Sequence, residues 1–128
     1  MSASNYKILV VEDEFQVRTL FVKLLLQEGY QVLSASNAQD ALEILASEKV
    51  DLILLDLRMP GPTDGEDLLY ALRDRGDDVL IIVVSAWIDF DLLIDQPDCV
   101  FAVLEKPVQF HKLLETVCPS PDRINGPN

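Results

Sequence analysis

Four stretches of this chain have unbroken apolar cores: "KILVV" (7–11), "DLILLD" (51–56), "VLIIVVS" (79–85) and "VFAVL" (100–104). A strand with one wet face alternates apolar and polar side chains. These do not, so they read as strands of a parallel sheet covered on both faces. "QVLSA" (31–35) is weaker and fits a strand nearer an edge. Helical spacing fills the gaps. Val17, Leu20, Phe21, Leu24 and Leu25 fall at i, i+3, i+4, i+7 and i+8, and Gly29 supplies a stop. Asn37 is placed to N-cap a helix with the stripe Ala38, Ala41, Leu42 and Leu45. Asp64 is placed to cap a third, carrying Leu68, Leu69 and Leu72, and Phe110, Leu113, Leu114 and Val117 mark the last. "WIDFDLLIDQPD" (87–98) is the poorest helix, acidic and closed by Pro97.

Strand and helix thus alternate five times, which predicts an α/β fold with a parallel sheet and right-handed crossovers. The ordered domain is expected over 6–118, after a short extension at 1–5. The last stretch, "CPSPDRINGPN", holds three prolines and no apolar period, so 119–128 reads as a mobile tail or linker.

The 128 residues make one ordinary domain, and 49% of them are hydrophobic, enough for a real core. A net charge of −12 argues against direct binding to nucleic acid or an anionic membrane surface, both of which call for a basic face. Cys99 and Cys118 form no CxxC pair, the start "MSASNYK" is too polar for a secretory signal, and no apolar run is long enough to span a bilayer. The expected setting is the cytoplasm.

That acidity sharpens a question about the first strand, which runs straight into Glu12, Asp13 and Glu14. A solvated turn is the bland reading. In an open α/β sheet, however, ligands bind beyond the carboxyl ends of the strands. Glu12 and Asp13 stand at that edge after the first strand, Asp56 ends the third, Ser85 and the small Ala86 close the fourth, and Lys106 and Pro107 follow the fifth. If these strands are neighbours, the side chains converge. Two carboxylates ~4 Å apart at an effective dielectric of ~20 repel by about 4 kcal/mol. Either one carboxyl holds a proton, or a cation sits among them. Oxygen ligands with room for water suit Mg²⁺, with Mn²⁺ as the alternative. Lys106 is placed to hold a transferred anionic group, Ser85 to donate a hydrogen bond to it, and Asp56 to act as the nucleophile that forms an acyl phosphate.

These residues resemble the receiver domain of two-component response regulators. The likeness lies in Glu12–Asp13 after "ILVV", Asp56 in "DLRMPG", Ser85–Ala86 after "IIVV" and Lys106–Pro107 in "EKP", in order across residues 6 to 118. The resemblance implies a flavodoxin-like (βα)5 fold with strand order 2-1-3-4-5. It implies Mg²⁺-dependent transfer of a phosphoryl group to Asp56 from a sensor histidine kinase or a histidine phosphotransfer protein. Asp13, Asp56 and the backbone carbonyl of Arg58 would contact the metal, Glu12 would do so through water, and the Lys106–Pro107 bond would be cis. The domain would work as a switch rather than turn over an external substrate. Its output would pass to a downstream protein or an output domain outside this chain, and a homodimer fits the same scheme.

The chain departs from the family pattern in three places. "MPGPTDG" has three residues, Gly61, Pro62 and Thr63, where two are usual. Val103 stands where a Tyr or Phe usually reports activation, with Phe101 two residues earlier. Trp87 occupies a position that influences phosphate lifetime in the family; its own burial is left open by the pattern. His111 reads as an ordinary residue of the last helix. Other classes fit less well. A haloacid-dehalogenase-type phosphatase needs a second Asp where Arg58 stands, "VEDEFQ" would repel a flavin phosphate, and no P-loop is present. The runner-up is a degenerate receiver that only binds proteins, which Val103 favours and the acids, Ser85 and Lys106 oppose.

Overall fold

This computed structural model describes residues 6–56, 68, 71–72, 79–85, 100–105 and 109–117. Along them run β1 (Lys7–Val11), α1 (Phe15–Gln27), β2 (Gln31–Ala35), α2 (Ala38–Ser47), β3 (Leu52–Asp56), β4 (Leu80–Ser85), β5 (Val100–Glu105) and α3 (Phe110–Val117). The five strands form one sheet in the order β2-β1-β3-β4-β5, and every pair is parallel. The parallel sheet is the one expected from the apolar runs, with β2 at an edge, and its strand order is the flavodoxin-like order that the family resemblance implies.

Neighbouring residues of each central strand serve opposite faces. Leu9 and Val11 of β1, Ile53 and Leu55 of β3, and Ile81 and Val83 of β4 pack with Ala38, Ala41 and Leu45 of α2 and with the helical residues Leu68 and Leu72. Ile8 and Val10, Leu52 and Leu54, and Ile82 and Val84 pack on the other face with Phe21 and Leu25 of α1 and Leu113 and Val117 of α3. Continuous apolar strands are what two such layers require. Each fully buried aliphatic side chain contributes about 1.5–3 kcal/mol, which makes β1 and β3 the axis of the domain.

The helix ends follow their local chemistry. The Asn37 side chain accepts a hydrogen bond from the Asp40 amide at 2.8 Å and so caps α2. Gly29 takes φ 92° just after α1, a conformation that costs any residue with a Cβ. One expectation is corrected: Leu20 was placed in the buried stripe of α1, yet it is 44% exposed. It lies about 100° around the helix from Phe21, and the sheet covers only the arc centred on Phe21 and Leu25. In α3, Leu113 and Val117 are buried and Leu114 packs beside them.

At the amino edge of the sheet, the Lys7 amide donates to the Asp51 carboxylate at 2.9 Å and the Lys7 ammonium pairs with Glu48 at 2.9 Å. The Tyr6 and Tyr30 rings meet at 5.8 Å. Among the described residues, structural contacts thus occupy the amino edge around β1. No helix among the described residues is long and apolar enough to cross a membrane. The extension 1–5, the Asp64 cap, Leu69, the acidic segment 87–98, the side chain of Phe110 and the tail 119–128 lie outside the described residues.

Candidate metal centre

Because all five strands are parallel, their last residues share one edge. In register, Val11 of β1 lies opposite both Ala35 of β2 and Leu55 of β3. The next residue on β1 is Glu12 and the next on β3 is Asp56. Glu12 continues the ladder by one bond, its amide donating to the Ala35 carbonyl at 3.1 Å. Its carboxylate then turns back to accept the Glu14 amide at 3.2 Å, which tightens the 12–14 turn.

Glu12 and Asp56 are only 2% and 4% exposed, and Asp13 is more open. One carboxylate oxygen from each lies within 4.8 Å of the other two. Two nearby positive features work against that charge. α1 starts at Phe15, two residues past Asp13, so the amino end of its dipole, worth about half a positive charge, faces the turn. Arg18 adds a guanidinium, whose Nη1 donates to the Glu12 carbonyl at 2.9 Å and to the Asp13 carbonyl at 3.4 Å. Against three carboxylates these leave the site clearly negative. The donor set consists of hard oxygens, two buried and one open to water. It suits a divalent cation that keeps part of its hydration shell, as Mg²⁺ does.

The structure brings together three of the residues singled out in the sequence, Glu12, Asp13 and Asp56. The backbone of Ser85 ends β4 at the same edge: Asp56 is the partner of Val84, and Ser85 of Glu105. Val103 is in β5 as the partner of Val83. The side chains of Ser85 and Val103, together with Arg58, Ala86, Trp87, Lys106 and Pro107, lie outside the described residues. Arg18 and the Phe15 ring beneath it, 5.5 Å from guanidinium carbon to ring centroid, were not foreseen. Their spacing from Asp13 is unremarkable on an amphipathic helix.

Comparison with known proteins agrees with this fold. The family described as "Response regulator receiver domain" matches residues 8–118. Sporulation initiation phosphotransferase F of Bacillus subtilis is 35% identical over 89 residues, covering 70% of this chain and 71% of that protein. The positive alginate biosynthesis regulatory protein of Pseudomonas aeruginosa is 38% identical over 113 residues, which cover 86% of this chain but 45% of that relative. The crystal structure of a response regulator receiver protein from Pseudomonas putida superposes with a TM-score of 0.80 at 34% identity, over 88% of this chain and 94% of that one. The chain belongs to the response regulator receiver domain family. It is a phosphoacceptor module of two-component signalling, a class of domain that works with histidine kinases and output domains.

Proposed function

We propose that Asp56 is the residue that accepts the phosphoryl group. A carboxylate oxygen of Asp56 attacks the phosphorus of a phosphohistidine on a kinase or a histidine phosphotransfer protein. The P–N bond breaks as the new P–O bond forms, the imidazole leaves with the electron pair and takes up a proton, and Asp56 becomes an acyl phosphate. Water later attacks the phosphorus, the bond to the carboxyl oxygen breaks, inorganic phosphate leaves and the Asp56 carboxylate is restored. Mg²⁺, when bound, neutralises charge on the transferring oxygens. Asp13, Asp56 and the Arg58 carbonyl would hold it directly, and Glu12 through water. Ser85 donates a hydrogen bond and Lys106 an ammonium to the transferred group.

The observation that carries this reading is the convergence of Glu12, Asp13 and Asp56 on one point at the carboxyl edge. A module that only binds proteins has no use for two buried carboxylates beside a third, since their repulsion costs stability. The proposed setting is the cytoplasm. The signal passes to a downstream protein or to an output domain; the matched part of the alginate regulator is less than half of that relative.

The test is intact mass after incubation with acetyl phosphate and Mg²⁺. Wild type is expected to gain one phosphoryl group and Asp56→Asn none. Equal labelling of both proteins overturns the assignment.

A further inference from the structure

The turn that carries Glu12 and Asp13 is short, acidic and under electrostatic tension. What holds its backbone is therefore a question separate from what fills the site. The described contacts identify a strut. Arg18 lies one turn into α1, and its own amide makes the first hydrogen bond of the helix, to the Glu14 carbonyl at 2.9 Å. Its guanidinium reaches back to two consecutive carbonyls, those of Glu12 at 2.9 Å and Asp13 at 3.4 Å. The first is a well-formed bond and the second a longer contact. Both contacts come from one nitrogen, Nη1, which is shared between the two carbonyls; the planar guanidinium fixes where that nitrogen points more rigidly than the flexible stem of a lysine would. Phe15, 69% exposed, lies under the guanidinium and restricts its rotation.

We infer that Arg18, steadied by Phe15, is a positioning residue for the cation site: it fixes the backbone of Glu12 and Asp13 so that their carboxylates stand next to Asp56 before any cation arrives. The inference rests on the reading of the acid trio as a metal site. It concerns a residue that touches neither metal nor phosphoryl group. Arg18 bonds the backbone, leaving the acidic oxygens to the cation.

The sign of the effect separates this role from plain electrostatics. If Arg18 acted only as a nearby positive charge, its removal would strengthen cation binding, because like charges repel. As a strut, its removal weakens binding, because the turn must then be ordered at the moment the cation binds. Residues that orient metal ligands from outside the coordination shell typically change affinity by about tenfold or more.

The experiment is a calorimetric Mg²⁺ titration of the full chain with no phosphodonor, paired with amide hydrogen exchange in the metal-free protein. Arg18→Ala is expected to bind Mg²⁺ about tenfold more weakly and to speed exchange at Glu14, whose amide bonds the Glu12 carboxylate. Arg18→Lys should fall between the two, and it serves as the test protein if Arg18→Ala does not fold. Phe15→Leu should weaken binding in the same direction as Arg18→Ala, and by less. Lys23→Ala, which removes an exposed charge elsewhere on α1, should bind like wild type. Binding by Arg18→Ala as tight as wild type, or tighter, overturns the proposal. Absence of Mg²⁺ binding by the wild type would instead reject the metal reading. Glu14 exchange in the metal-free variants then decides alone whether Arg18 holds the turn.

Discussion

Val11 and Leu55 are register partners across β1 and β3, and the residue after each is a buried acid. One backbone pairing therefore sets Glu12 beside Asp56, and the turn at Glu12 adds Asp13. A slip of one residue between these strands would reverse which side chains face each helix layer. The same pairing thus fixes both the core and the site.

Cation binding should depend on Asp13 in particular. In a Mg²⁺ titration followed by amide shifts, Asp13→Ala is expected to lose about tenfold or more in affinity. Asp40→Ala, which removes an exposed acid in the first turn of α2 that is not one of the trio, should change it far less. Identical behaviour of the two variants would show that the metal site is misplaced.

The trio should cost stability when no cation is present. Asp56→Asn removes one of three crowded charges, and with repulsion of at most about 4 kcal/mol per pair at ~4 Å and a dielectric of ~20, it is expected to stabilise the metal-free protein. Thermal unfolding in EDTA should show Asp56→Asn melting above wild type, and added Mg²⁺ should narrow the gap. A lower melting temperature for Asp56→Asn in EDTA would contradict the crowding argument.

Two helix-end residues should carry measurable stability. Asn37→Ala loses the cap on the Asp40 amide and is expected to cost about 1 kcal/mol. Gly29→Ala forces a Cβ into the left-handed region at φ 92° and is expected to cost about 1–2 kcal/mol. Urea unfolding checks both; a null effect for Gly29→Ala would mean that the chain relaxes out of that conformation.

Lys106 is proposed to couple the acyl phosphate to the switch. Lys106→Ala should still be labelled by acetyl phosphate, more slowly, while losing the phosphorylation-dependent change in association. Normal switching by this variant, read by size-exclusion chromatography, would reduce Lys106 to a local charge.

Val103 brings no ring to the position that usually carries one, so the signal is expected to travel by the segment after Ser85. Hydrogen exchange with and without beryllofluoride should change most in 86–98 and less in 100–104. A response confined to 108–118 would show another route.

The sequence by itself determined the layers and their order along the chain. Residues 8–11 of β1, 52–55 of β3 and 80–84 of β4 are apolar at every position, as burial on both faces requires. Asn37 and Gly29 mark helix ends through bonds and dihedrals that depend on nearest neighbours alone. The acid trio was legible because parallel strands all deliver their last residues to one edge. Leu20 was misplaced because a 3.6-residue period states which residues share a face but not how wide an arc the sheet covers. The register irregularity between Ile81 and Ile82, whose partners on β5 are Val100 and Ala102, has no local signal either. Arg18 is the clearest case. Its neighbours in sequence are those of any amphipathic helix, and its role exists only because α1 packs back against β1 and carries the guanidinium to the carbonyls of Glu12 and Asp13. Local chemistry wrote the elements and their ends; distances between groups far apart along a helix or on different strands were decided by packing, where a shift of a fraction of a turn separates a contact from an exposed side chain.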